Sequence, residues 1–190
     1  MRGFTLIELM VAVSIFAIVM MVGVGALLTM VSVNKRAQGI NSVMNNLNAA
    51  VEQIARATRV GSAYHCAASP NDFSNISVPA DCAVNGGLLF AFEATNGNVL
   101  DTNDQVVYRL NGTQLERSLR SGINGTWVAL TSPEVHITSF KFYVTGSTPL
   151  TSGDSVQPRL LMIIHGTAEL QGGPTDFVVQ SSVTQRLIDL

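Results

Sequence analysis

Polar and apolar residues fall along this chain in three regimes. Residues 9–33 are twenty-five positions without a charged side chain or a proline. About 20 apolar residues in a helix cross the hydrocarbon core of a bilayer, so this run spans it with a turn to spare. A removable secretory signal has an apolar stretch of about 7–15 residues and a small-residue cleavage site behind it. This stretch is longer, and the basic region ahead of it is only Met1-Arg2, so it predicts a retained transmembrane anchor. Past Asn34 the apolar residues thin to Ala37, Ile40, Val43, Met44, Leu47, Ala50, Val51, Ile54 and Ala57. A spacing of three and four predicts that the helix continues with one buried stripe. Gly61 supplies its stop. A helix over residues 4–60 would be about 85 Å long at 1.5 Å per residue.

The third regime is short apolar runs between turn residues. Residues 62–87 read as a loop-rich region carrying Cys66, Pro70, Pro79, Cys82 and Gly86-Gly87. Strands are predicted over residues 88–94, 105–110, 113–118, 126–130, 135–144, 159–168 and 176–187. Leu110-Asn111-Gly112-Thr113 is a two-residue hairpin signal, and the unbroken apolar run 160–164 suits a central strand. Strands in series with no further helical pattern imply an antiparallel sheet, one face of which should cover the stripe at residues 40–54. The fold class expected is α+β.

Charge sharpens the division. The chain of 190 residues has a formal net charge of −2, and 13% of its residues are charged, against about 25% for soluble domains. Residues 4–33 hold a single ionisable side chain, Glu8, whereas from Asn34 onward there are ten Lys/Arg and twelve Asp/Glu. No concentrated positive field exists for bulk nucleic-acid binding. Glu8 is the anomaly: a carboxylate at the edge of an apolar helix is costly without water or a partner. Either it sits at the membrane surface, or it awaits a charge from another chain.

The residues around it carry a resemblance. Arg2-Gly3-Phe4-Thr5-Leu6-Ile7-Glu8-Leu9-Met10-Val11 resembles the prepilin cleavage and methylation signature of type IV pilins and type II secretion pseudopilins. The resemblance implies cleavage between Gly3 and Phe4 by a membrane aspartic peptidase, N-methylation of Phe4, and pairing of the new amine with Glu8 of a neighbouring subunit. Where that family often has a proline, this chain has Gly25, so a forced kink is absent; Gly23 and Gly25 serve either as a weak point or only for close packing. Val107-Tyr108-Arg109-Leu110 followed by Gln114-Leu115-Glu116-Arg117 is similar to a hairpin of J-type minor pseudopilins and W-type minor pilins. The absence of a cysteine after Cys82 also points to a minor subunit.

The division that follows is a leader at residues 1–3, a transmembrane helix at 4–33, an amphipathic helix at 34–61 and a loop and sheet domain at 62–190. Met1 and Arg2 weighed against Lys35 and Arg36 do not decide orientation. The resemblance implies a cytoplasmic N-terminus, a globular domain outside the inner membrane, and later incorporation into a pilus or pseudopilus. Expected partners are other pilin or pseudopilin subunits, prepilin peptidase and the inner-membrane assembly platform. Cys66 and Cys82, sixteen apart, are either two thiols in a reduced loop or, if the domain is exported, a disulfide.

Catalytic patterns are lacking. His65, His136 and His165 are scattered, and no Gly-x-Ser-x-Gly, His-Glu-x-x-His or phosphate-loop motif occurs. Asp101-Thr102-Asn103-Asp104 offers oxygens but lacks the glycine and distal glutamate of a calcium loop, so it reads as a turn. Arg109, Arg117 and Arg120 read as a solvated hairpin face, with a small basic patch for DNA or polysaccharide as the alternative. Neither enzymatic activity nor a cofactor is expected. The function expected is structural, with a binding role toward DNA, surfaces or exported protein as the alternative.

Overall fold

The computed structural model describes residues 3–98, 101, 103–121, 125–149, 152, 156–170 and 173–186. Helix α1 runs unbroken over Leu6–Val60, through Gly23 and Gly25. At 1.5 Å per residue it is about 83 Å long. Thr5 caps it, its side-chain oxygen accepting from the Glu8 amide at 3.4 Å. Everything in α1 up to Gln38 is exposed. Burial begins with Val43, Leu47, Ala50, Ile54 and Thr58, a narrower stripe than expected: Ile40 and Met44 stay exposed at 37% and 38%.

Strands follow in series: β1 (Ser62–Ala67), β2 (Leu89–Glu93), β3 (Val106–Asn111), β4 (Gln114–Ser118), β5 (Val128–Ala129), β6 (Val135–Thr145), β7 (Arg159–Ala168) and β8 (Thr175–Thr184). They form two antiparallel sheets rather than one, β1-β2-β3-β4-β5 and β6-β7-β8. Both sheets and the second half of α1 contribute to one core, which includes Leu47, Ile54, Tyr64, Phe90, Tyr108, Phe142, Leu160 and Met162. A second cluster of Ala67, Ile76, Leu89, Ala91 and Val107 lies on the other face of the first sheet, with Phe73 and Trp127 against it.

β1 corrects the reading of residues 62–87 as loop. Its last four residues are all buried, because Tyr64 and Cys66 face the main core while Ala67 faces the second cluster. A strand covered on both faces has no polar alternation to reveal it. A bulge between Ser62 and His65 places Ala63 at φ 52°. The hairpin also differs by one residue. Asn111 pairs with Gln114, so the turn residues are Gly112-Thr113, with Gly112 at φ 59°; glycine in the first central position is the type II′ pattern. This register sets Leu110 opposite Leu115. β8 ends at Thr184, short of the expected strand end at Leu187, which lies outside the described residues.

The end of α1 is fastened by the domain it enters. Gly61 is extended (φ −81°, ψ 169°), not left-handed; glycine is required there because a Cβ would meet Phe92 Cδ2 at 2.3 Å. The last carbonyls of a helix lack intrahelical partners, and here distant segments supply them. The Tyr64 hydroxyl donates to the Thr58 carbonyl at 2.6 Å, the Arg186 amide to that of Arg59 at 2.8 Å, and the Thr95 hydroxyl to that of Val60 at 3.0 Å.

Candidate functional site

At the N-terminal end, the site residues singled out by sequence lie on one short stretch. Gly3 and Phe4 precede the helix, and Glu8 is in its first turn. Glu8 is exposed, and among the described residues no cation lies within ion-pair distance of it. Its carboxylate does favour the positive end of the helix. The apolar run behind it is built for a medium without hydrogen-bonding solvent. Its three hydroxyls all turn back onto the helix: Ser14 donates to the Met10 carbonyl at 2.8 Å, Thr29 to that of Gly25 at 3.0 Å and Ser32 to that of Thr29 at 2.8 Å. Glu8 is therefore the one side chain in residues 6–33 whose polarity the helix leaves unabsorbed. α1 is the one described helix long and apolar enough to cross a membrane.

Cys66 and Cys82 are joined in a disulfide with Cα atoms 5.0 Å apart. The segment that carries Cys82 is wedged between the two sheets. On one side the Cys66 amide donates to Ala80 O at 3.0 Å and the Ala80 amide to Tyr64 O at 2.9 Å; on the other the Cys82 amide donates to Val144 O at 3.1 Å. Gly87 and Phe142 exchange both backbone hydrogen bonds, at 2.7 and 2.9 Å. The carboxylate of Asp81 accepts from the Ser147 amide at 2.9 Å and the Gly146 amide at 3.3 Å. The disulfide thus ties β1 of one sheet to a segment bonded to β6 of the other.

The three arginines of the hairpin region do not form one patch. Arg109 Nε and Nη2 each donate to Glu116 Oε2 at 3.2 Å, its Nη1 to Asn71, and its guanidinium carbon sits 3.7 Å from the Trp127 ring centroid. That face is covered, so Arg109 is an internal clamp and not part of a solvated surface. Arg117 and Arg120 lie elsewhere, along a cavity with Leu119, Thr126 and Val128. The histidines stay apart in role: His65 Nδ1 is 2.7 Å from the Val78 carbonyl, while His136 and His165 lie on β6 and β7 opposite Thr167 and Ser139. Asn103 donates its amide to Asp101 Oδ1 at 3.0 Å and Asn98 its amide to Asp104 Oδ2 at 2.9 Å, the local geometry of a turn; Thr102 lies outside the described residues. Among the described residues no cluster of three or more His, Cys, Asp or Glu is arranged to hold a metal.

Sequence reasoning missed a buried polar network. Glu93, 2% exposed, accepts from Gln105 Nε2 at 3.1 Å, and Ser121 donates to Gln105 Oε1 at 2.8 Å. Among the described residues Asp104 Oδ1 is buried without a partner. Burial raises the Glu93 pKa above the ordinary glutamate value, and the charge of Asp104 adds to that, outweighing the Gln105 hydrogen bond. A carboxyl whose pKa rises on folding stabilises the fold at low pH and loses that contribution as pH climbs through the folded-state value. We therefore expect Glu93→Gln to raise stability at pH 7 by on the order of 1 kcal/mol, with the difference vanishing near pH 4. Denaturant titrations at both pH values check this; equal shifts at the two would contradict it.

A lipid-length helix with one unanswered carboxylate, entering a disulfide-containing β domain, defines a membrane-anchored, pilin-like protein. A family profile for the prokaryotic N-terminal methylation motif matches residues 1–24, and the profile of prepilin peptidase-dependent protein B matches residues 36–187. The chain belongs to the prepilin peptidase-dependent protein B family. Searches of curated proteins and of solved structures each returned no match.

Proposed function

We propose that this protein is a structural, non-enzymatic minor subunit of a type IV pilus or type II secretion pseudopilus. Residues 1–3 are its leader, residues 4–33 its membrane segment, residues 34–61 the amphipathic continuation and residues 62–190 its head. Prepilin peptidase cuts between Gly3 and Phe4 and methylates the new amine; the assembly platform then draws the subunit from the inner membrane, its head outside, into the fibre. There the Phe4 amine of one chain meets Glu8 of another. Neither charge is tolerable alone in lipid, and together they set the stagger of adjacent helices, a role buried ion pairs serve in other assemblies. The observation that carries the reading is the solitary Glu8 ahead of the bare stretch 9–33, whose three hydroxyls are all bonded within the helix.

Mass spectrometry of the protein from cells with active prepilin peptidase tests the processing step. The expected product begins at an N-methylated Phe4; a chain still carrying Met1 in such cells would overturn it. The reading as a DNA-binding module draws no support from the hairpin, since Arg109 is bonded to Glu116 and stacked on Trp127.

A further inference from the structure

The two sheets have outer edges at β1, β5, β6 and β8, and the first three are closed or cut short. The edge of β1 is bonded to the segment ahead of Cys82, the Cys66 amide donating to Ala80 O and the Ala80 amide to Tyr64 O. The edge of β6 is bonded to Gly87 through Phe142, to Cys82 through Val144 O and to Thr113 O through the Ile137 amide. β5 has only two residues. β8 differs. It runs for ten residues in unshifted register with β7, with no proline, lysine or arginine and one charge, Asp176. Shortness, bulges, proline and lysine are the usual devices that keep other chains from adding to a sheet edge, and β8 carries none of them.

Its outward backbone groups can be identified. The Gln185 amide donates to Pro158 O at 3.0 Å, and the register pairs Thr184 with Arg159. Backbone bonds of an antiparallel pair alternate along the strand. The odd-numbered residues of β8 therefore bond to β7, and Asp176, Val178, Gln180, Ser182 and Thr184 turn their N–H and C=O groups outward. All five residues are exposed, and among the described residues no other backbone segment bonds to them. On the core face, Phe177 and Val179 are only partly covered, whereas Leu160, Met162 and Ile164 of β7 are fully buried. The core stops one strand short.

We propose that the outer edge of β8 is a docking site for an extended segment of a different polypeptide chain, added antiparallel as a further strand. Only an extended backbone answers alternating donors and acceptors as a set. A second copy of this chain is disfavoured by direction. β8 and α1 run side by side in the same sense, since Arg36 Nη2 donates to Thr175 Oγ1 at 3.3 Å at one end and the Arg186 amide to Arg59 O at 2.8 Å at the other. Antiparallel pairing of two β8 edges would point the two α1 helices in opposite directions, which two chains anchored alike in one bilayer cannot do. The chemistry of the added segment follows from the alternation of a strand. Residues sharing the face of Phe177 and Val179 are apolar and extend the core. On the other face, a basic residue opposite Asp176 answers the one charge, a favourable cross-strand pair. The site lies wholly in the β domain and does not rest on the assembly reading.

A blocked nonapeptide of alternating threonine and valine that ends in lysine fits this description. Its threonines would lie opposite Val178, Gln180, Ser182 and Thr184, and its lysine opposite Asp176. Full-length protein in a neutral detergent is titrated with the fluorescently labelled peptide, following anisotropy. Saturable binding is expected, with Kd on the order of 0.1 mM. At a tenfold excess over Kd, amide exchange at Val178, Gln180 and Ser182, read by NMR, should slow about tenfold. Phe177, Val179 and Ser181, already bonded to β7, should stay unchanged. N-methylating the peptide's threonines removes the donors that face β8 and should weaken binding at least about tenfold. N-methylating its valines, whose N–H groups face away, should leave binding intact. Gln180→Pro deletes one outward donor and no bond to β7, so it should lose binding by a similar factor and keep the parental denaturation midpoint; the peptide pair decides the matter without it. Equal binding of the two N-methylated peptides, or unchanged exchange at the three outward amides, would overturn the proposal. So would protection of those amides that rises with protein concentration alone, which would assign the edge to a second copy.

Discussion

Replacing Glu8 with leucine should leave the protein in the membrane and remove it from the fibre. The substitution lengthens the apolar run by one turn and deletes its only charge, so insertion is, if anything, easier. In an assembled fibre it would leave the Phe4 amine of a neighbour in lipid with no counter-charge. Removing one partner of a buried ion pair costs about 3–5 kcal/mol, which is roughly two to four powers of ten in an association constant. Membrane fractionation should therefore recover the Glu8→Leu protein at parental levels, while sheared or purified fibres should hold at most about a hundredth of the parental amount. Glu8→Gln separates charge from polarity. It keeps a hydrogen-bond acceptor and loses the charge, and should fall between the two. Parental incorporation of both variants would show that the carboxylate is a surface residue and not an assembly contact.

Opening the Cys66–Cys82 bond should destabilise the β domain by about 3 kcal/mol. The bridge closes a loop with a sequence separation of 16, for which chain entropy gives about 3 kcal/mol. Its position adds a second reason. The Cys82 segment is bonded to β1 through Ala80 and to β6 through Val144, so freeing it loosens the seam between two sheets that share one core. Reduction of the parent protein, or Cys66→Ala with Cys82→Ala, should lower the melting midpoint of the β domain by roughly 6–12 °C, taking about 2–4 °C per kcal/mol for a unit of this size. Measuring the reduced parent beside the double variant distinguishes loss of the bond from loss of the sulfur atoms. A midpoint unmoved by either treatment would mean that the backbone bonds alone hold the seam.

How far the sequence reveals this architecture depends on what each segment faces. β7 falls on the expected residues 159–168, because its unbroken apolar run at 160–164 suits a central strand, and β7 is the middle strand of its sheet. α1 was legible from two different signals, unbroken apolarity first and a three-four stripe afterwards. β1 was not, since Tyr64, His65, Cys66 and Ala67 are buried on both sides and present no alternation. The one-residue shift of the hairpin turn reflects competition between Asn111-Gly112 turn chemistry and the pairing of Leu110 with Leu115, and the apolar pair prevailed. Arg109 looked like surface because its partners Asn71 and Trp127 are 38 and 18 positions away; long-range pairing leaves no local pattern. Glu93 was invisible for the same reason, its burial depending on Gln105 and Ser121 arriving from other segments. The N-terminal stretch was the most legible, since its chemistry is held in consecutive residues and needs no tertiary arrangement to be read.

The fastening at the end of α1 has a mechanical consequence. Carbonyls of Thr58, Arg59 and Val60 are gripped by β1, by the segment after β8 and by the segment after β2. Tension applied along the shaft is therefore distributed over three separate anchor points instead of a single flexible joint. A subunit hauled lengthwise would bring its head along as a rigid load, and the junction would yield only when several bonds sheared together.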